Sequence, residues 1–151
     1  MLNFQIHRAS TVDLCIAAEL FDDYRQFYGQ PTDYPLAESF LRERFVNHES
    51  VVFLAVDSLS GDGLGFVQLY PSFSSVSAQR IWILNDLFVA PAARKCGIGR
   101  ALLDAARDHA MSTGAKRLVL STAQTNHAAR ALYESYGYKP DDTFQEFTLE
   151  L

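Results

Sequence analysis

Apolar residues return along this chain with two different periods, and the change from one to the other marks its elements. Leu14, Ala17, Ala18, Phe21, Tyr24 and Tyr28 keep the spacing of a helix with one buried face, and Gly29 stops the run. Ser10 stands ahead of it as a cap, with Asp13 three residues on in the positively polarised first turn. A second helix is predicted from near Pro35, a residue suited to a first turn, and it carries Phe40, Leu41 and Phe45. Strand signals occupy residues 3–8, the apolar run 51–56, residues 64–70 across the turn 58–63, and residues 80–90. Pro91 ends the last of these because proline cannot donate to a ladder. Residues 98–113 are helical with Gly114 as the stop, 116–122 form a strand, 126–136 a helix closed by Gly137, and 144–151 a final strand. The order β-α-α-β-β-β-α-β-α-β predicts one mixed sheet with helices on both faces, in a single domain spanning 1–151.

Composition narrows the classes. The 151 residues are 48% apolar and 21% charged, within the globular range, with no repeat or low-complexity tract. The longest apolar run, 51–56, falls far short of the ~20 residues of a membrane-spanning helix. The first residues show no basic stretch followed by an apolar block, so neither membrane nor secretory pathway is expected. Cys15 and Cys96 form no CxxC pair, and reduced thiols in the cytoplasm are the simplest reading. The four histidines show no metal-ligand spacing, and no metal is expected.

Net charge of −5 argues against a nucleic-acid partner, but its distribution says more. Residues 80–117 carry seven Lys/Arg against three Asp, a surplus of +4, while the rest of the chain holds −9. A basic segment in an acidic chain suggests a phosphate-bearing ligand there and a cationic one elsewhere. Within it, Arg94-Lys95-Cys96-Gly97-Ile98-Gly99-Arg100 lies between a predicted strand and a predicted helix. The glycines permit close backbone approach, the helix start offers unpaired N–H groups, and three bases add charge, which is the chemistry a diphosphate requires. A P-loop is excluded because no Lys-Ser or Lys-Thr pair follows these glycines, and a dinucleotide fingerprint because Leu102 stands where a third small residue is needed.

Val89-x-Pro91-x-x-Arg94-x-x-Gly97-x-Gly99 resembles the acetyl-CoA signature of the Gcn5-related N-acetyltransferase (GNAT) superfamily, Arg/Gln-x-x-Gly-x-Gly/Ala after a strand. Asn126-x-x-Ala129-x-x-Leu132-Tyr133-Glu134-x-x-Gly137-Tyr138 resembles the later motif of the same family. Residues 84–89 and 125–127 look like its histone and polyamine acetyltransferase branch. The resemblance implies an α/β (α+β) fold with a mixed, mostly antiparallel sheet of about six or seven strands and helices on both faces. It also implies acetyl-CoA as co-substrate, direct acetyl transfer to a primary amine in a ternary complex, and a possible homodimer to which residues 144–151 contribute.

The same resemblance assigns roles. Main-chain N–H groups of Lys95, Cys96, Gly97, Ile98, Gly99 and Arg100 are expected to cradle the CoA diphosphate, with Arg94 adding charge. Main-chain groups of Leu87 and Val89, on either side of Phe88, are expected to meet the pantetheine arm and acetyl carbonyl, and Asn126 to touch that arm and cap its helix. Tyr133 matches the tyrosine that protonates the departing thiol. The base is open: some relatives place a glutamate where Asn85 stands, an amide cannot serve, and adjacent Asp86 either works through water or anchors the sheet. Tyr24 and Tyr28, with Asp86, are candidates for an acceptor pocket, because aromatic faces and acids hold an ammonium; Phe21, Phe27, Asp22, Asp23, Asp33 and Tyr34 lie in the same stretch. This favours a small cationic amine. A protein or peptide acetyltransferase with an open groove, and an acyl-CoA-binding module without catalysis, are the alternatives.

Overall fold

In a computed structural model, which describes residues 2–151, Ser10 and Asp13 start the first helical region as their spacing predicts. The Ser10 N–H donates to Asp13 Oδ2 at 2.9 Å, and a 3-10 turn over Thr11–Asp13 leads into helix α1, Leu14–Phe27. Helix α2, Tyr34–Val46, is capped by Asp33, whose carboxylate accepts from the Leu36 N–H at 3.1 Å, with Pro35 in its first turn. Strands β1 (Phe4–Arg8), β2 (Val51–Asp57), β3 (Gly63–Ser74), β4 (Gln79–Val89) and β5 (Leu118–Val119) form one sheet in chain order. Three neighbouring pairs are antiparallel, and β4 with β5 is parallel, so the sheet is mixed as expected.

These strands, α1, α2 and helix α3 (Ile98–Ser112) belong to a unit ending at Ser121. Ring contacts join Phe21 and Tyr24 of α1 to Phe40 of α2, Phe66 of β3 and Phe88 of β4, forming the core of one sheet face. Phe21, Phe66 and Phe88 are buried, and fully burying a side chain of this kind stabilises a fold by about 1.5–3 kcal/mol. Residues of opposite parity on the strands meet α3: Trp82 Nε1 donates to Thr113 just past its end, and its ring packs on His109. Gly65 is required where β3 crosses β4, since a Cβ there would lie 2.6 Å from the Phe88 carbonyl oxygen. The second unit, Thr122–Leu151, holds helix α4, His127–Tyr136, closed by Gly137 at φ +114°.

Two strand expectations need correction. Residues 144–151 form no strand, and the sheet has five strands, fewer than the six or seven expected. A strand is stable only against a neighbour, and no backbone bond joins 144–151 to a partner among the described residues; Phe144, Phe147, Leu149 and Leu151 are all exposed. The strand predicted over 116–122 shrinks to Leu118–Val119. Conversely, β3 runs past Tyr70 through Pro71 to Ser74. Strand β2 ends opposite Leu69, so Pro71 stands where β3 has a free edge and its missing N–H removes no ladder bond.

Candidate functional site

One extra residue in β4 organises the candidate site. Gln68 pairs with Asp86 and Leu69 with Leu84, so Asn85 is a bulge without an opposite partner. An unbroken strand would place Leu84 and Asp86 on the same face. The bulge separates them: Leu84 stays with Leu69 on the α3 side, while Asp86 joins Gln68, Phe66 and Phe88 on the α1 side. Asn85 itself is exposed.

The bulge also turns the main chain. Before it, the Trp82 N–H bonds the Arg117 carbonyl and the Arg80 carbonyl accepts from Lys116, so even-numbered residues face β5. After it the alternation shifts, and Leu87 and Val89 face that edge, while the Ala90 N–H turns back to the Leu64 carbonyl. Strand β5 pairs only as far as Ile83–Val119, so among the described residues no strand covers the Leu87–Val89 edge. These are the two residues whose main chain the sequence reading assigned to the pantetheine arm. Phe88, between them, points into the aromatic core and is buried.

Beyond Val89 the chain makes a 3-10 turn at Pro91–Ala93 and a loop with two left-handed residues, Lys95 at φ +62° and Gly97 at φ +83°. Such turns present successive N–H groups on a concave surface. Gly97 is the N-cap of α3, no side chain caps that end, and no acid occupies its first turn. Its leading amides are therefore free of side-chain competition, Arg94, Lys95, Cys96 and Arg100 are exposed, and Ile98 anchors the helix in the core. The donor set fits a diphosphate. The Cys96 thiol is 3.4 Å from the Arg94 carbonyl. Arg94 Nε donates to the Val89 carbonyl at 3.0 Å, and its guanidinium lies over the rings of Phe27 and Phe88 at 5.7 and 5.9 Å.

The basic segment is not one patch. Arg80, stacked on Phe73 and Trp82, and the neighbouring Lys116 and Arg117 lie at the far end of β4, about 30 Å from Val89 at ~3.3 Å per residue. Arg107 pairs with Asp104 and Asp108 on the exposed side of α3. Only Arg94, Lys95 and Arg100 remain at the loop.

Asp86 is 3% exposed and surrounded by donors. Gln68 Nε2 donates to its Oδ2, Asn85 Nδ2 to its Oδ1 at 2.9 Å, and the Tyr24 hydroxyl bonds the same carboxylate. Burial dominates, and it holds the Asp86 carboxyl above the usual carboxylate range despite those three bonds. Tyr70, two residues along β3 from Gln68, has its phenol pushed up to about 12 by burial and by the Asp86 charge. Tyr24 is half-buried, with Tyr28 edge-on at 5.0 Å and itself half exposed. The acids of the same stretch are used differently. Asp22 is buried and accepts from Thr32 Oγ1 at 2.6 Å and the Asp33 N–H at 2.8 Å, so it builds the α1–α2 loop, and Asp33 caps α2. Gln68, absent from the sequence-derived candidates, is fully buried, and its Oε1 has no hydrogen-bond partner. The one polar residue inside the apolar strand GLGFVQLY was its signal.

In the second unit Asn126 caps α4, its Oδ1 accepting from the Ala129 N–H at 3.3 Å. Tyr133 is buried on that helix, with the Tyr138 ring 5.8 Å away.

A strand with one open edge thus leads through a glycine turn into a helix whose first amides no side chain caps, and comparison with known proteins gives this arrangement its family. Residues 17–138 match the model of the Acetyltransferase (GNAT) family, and the chain belongs to that family and is an acetyltransferase. It is 50% identical over 146 residues to the uncharacterized N-acetyltransferase YhfO of Bacillus subtilis, covering 97% of each chain. It is 35% identical over 147 residues to a probable acetyltransferase of Haemophilus influenzae, covering 97% of this chain and 98% of the relative. A crystal structure of a probable acetyltransferase superposes with a TM-score of 0.92 at 41% identity, over 97% of both chains.

Proposed function

We propose that this acetyltransferase moves an acetyl group from acetyl-CoA to the primary amine of a small cationic substrate by direct transfer in a ternary complex. When bound, acetyl-CoA supplies the acetyl group as an activated thioester. The observation that carries the donor side is the open Leu87–Val89 edge running into the uncapped α3 start at Gly97. On this reading the amides of residues 95–100 hold the diphosphate, and an N–H on the β4 edge polarises the reacting carbonyl. Tyr133 and Asn126 keep the roles that their motif implies, thiol protonation and a contact to the pantetheine arm.

Tyr24, Tyr28 and the buried Asp86 carry the acceptor side: aromatic faces and one carboxylate favour a cation. This agrees with the resemblance to the histone and polyamine branch, and we read the protein as cytoplasmic and homodimeric. A panel of polyamines, amino acids, amino sugars and lysine peptides, assayed for acetyl-CoA-dependent CoA release, tests the reading. Turnover of small amines above peptides is expected; a preference for peptides would replace the closed acceptor pocket with a groove.

A further inference from the structure

We infer that the Tyr24 hydroxyl is the group that takes the acceptor's proton, with Asp86 behind it as the final proton acceptor and Gln68 and Asn85 as its positioning residues. This rests on the amine-acetylation reading above and names the base that the reading leaves open.

The argument begins with access. At 3% exposure Asp86 does not meet a bound amine directly; whatever reaches it must pass the groups that cover it. Those groups are the Gln68 amide from β3, the Asn85 amide from the bulge, and the Tyr24 hydroxyl from α1. An amide N–H does not exchange its proton for another on the timescale of catalysis, whereas a phenol both gives and takes one. Tyr24 is therefore the only member of the cluster able to pass a proton, and its ring is also the one that stands half-exposed among Tyr28, Phe66 and Phe88.

The step balances as follows. One N–H bond of the substrate ammonium breaks toward the Tyr24 oxygen while the Tyr24 O–H proton moves to Asp86. The electron pair left on nitrogen forms the new C–N bond as the C–S bond of the thioester breaks. The second amine proton leaves nitrogen as the departing sulfur gains one, and the Asp86 proton returns through Tyr24 to water after release. Gln68 suits this cycle. Its Oε1 has no partner while Asp86 is ionised, and a buried acceptor without a partner is costly. Rotating the amide once Asp86 is protonated lets that oxygen accept the new O–H, which gives it the partner it lacks while Asp86 is ionised. The low-dielectric surroundings raise the Asp86 carboxyl toward the range where it accepts a proton readily. The other ionisable group facing it is Tyr70 of β3, held neutral by its own burial, and the charge of Arg44 of α2 acts on Tyr70 in the opposite sense to that of Asp86.

The test compares the full-length enzyme with Tyr24→Phe and Asp86→Asn on the best amine of the panel, reading kcat/KM against pH and CoA affinity separately. Wild type should show a plateau that falls only as the pH drops toward the Asp86 range. Both variants should bind CoA as wild type does and lose about 100-fold in kcat/KM at pH 7. Their rates should climb tenfold per pH unit toward the ammonium's own pKa, about 10, where free amine needs no base. Variants that keep the wild-type plateau overturn the relay. Should Asp86→Asn fail to fold, Tyr24→Phe decides alone, since Tyr24 is only half-buried and its ring contacts remain. A wild type that binds acetyl-CoA but acetylates no amine overturns the acceptor reading, and the relay with it.

Discussion

Gly97 concentrates the donor-site argument in one residue. Its φ of +83° is a conformation that side chains rarely adopt, yet a Cβ built there would meet nothing within 4 Å. The two effects of a substitution are thus separable. Gly97→Ala should cost about 1–2 kcal/mol through backbone strain alone. In a chain this long that lowers Tm by roughly 2–8 °C, while leaving a thermal shift on adding CoA. Gly97→Glu adds the same strain and sets a carboxylate among amides that await a phosphate. Its CoA-induced shift should vanish, although at one hundred times Kd wild type gains about 2.7 kcal/mol. A full shift in Gly97→Glu, read by thermal denaturation, would move the diphosphate away from α3. The loop was legible in the sequence because glycine, charge and helix start are local features. Gln68 was not, because its importance depends on a partner eighteen residues away across a strand pair.

The α1–α2 loop shows how an element boundary near the candidate acceptor wall is held. Asp22 accepts from Thr32, from the Asp33 main chain and from Gln26, and Asp33 in turn caps α2. The Thr32 bond, then the Asp33 bond, holds the Asp22 carboxyl below its ordinary 3.8. The sign follows: the native state favours ionised Asp22, so the stabilisation is complete above the ordinary value and is lost as pH falls through the native one. Asp22→Asn should therefore cost about 2 kcal/mol at neutral pH, lowering Tm by roughly 4–8 °C. The deficit should shrink as the pH drops below about 4; a Tm difference that stays constant from pH 7 to pH 3 would show that the charge is not what the loop uses. The helices were readable because caps, glycine stops and 3.6-residue periodicity lie within each segment, as at Ser10, Pro35 and Gly29, whereas the Asp33 cap was not among the signals read. The bulge at Asn85 was not, since an extra residue is defined only against the strand opposite. Treating β4 as regular left the placement of Asp86 open, and the pairing with Gln68 resolves it.

For the whole molecule, the segment that departs from the strand expectation leaves four large apolar side chains exposed, Phe144, Phe147, Leu149 and Leu151. Phe147, Leu149 and Leu151 alternate with Glu146, Thr148 and Glu150, the pattern of a strand with one apolar face. That alternation is what predicts a strand over 144–151, and the prediction fails there. It is not realised within the chain, where Phe147 is 86% and Leu149 83% exposed. An apolar strand face and an unpaired backbone are both relieved by a neighbouring copy, which supplies ladder bonds and removes the side chains from water. At about 25 cal/mol per Å², covering several such side chains contributes a few kcal/mol per protomer before the ordering of the segment is counted against it. The expected outcome is that the 16.9 kDa chain runs in light-scattering chromatography at twice its mass at micromolar concentration, and that removing residues 144–151 returns it to a monomer. Phe147→Glu should do the same with the segment still present, by placing charge on the contact face. A full-length chain that stays monomeric at high micromolar concentration, or a truncated one that remains dimeric, would assign the association to another surface and leave the exposed segment without this role.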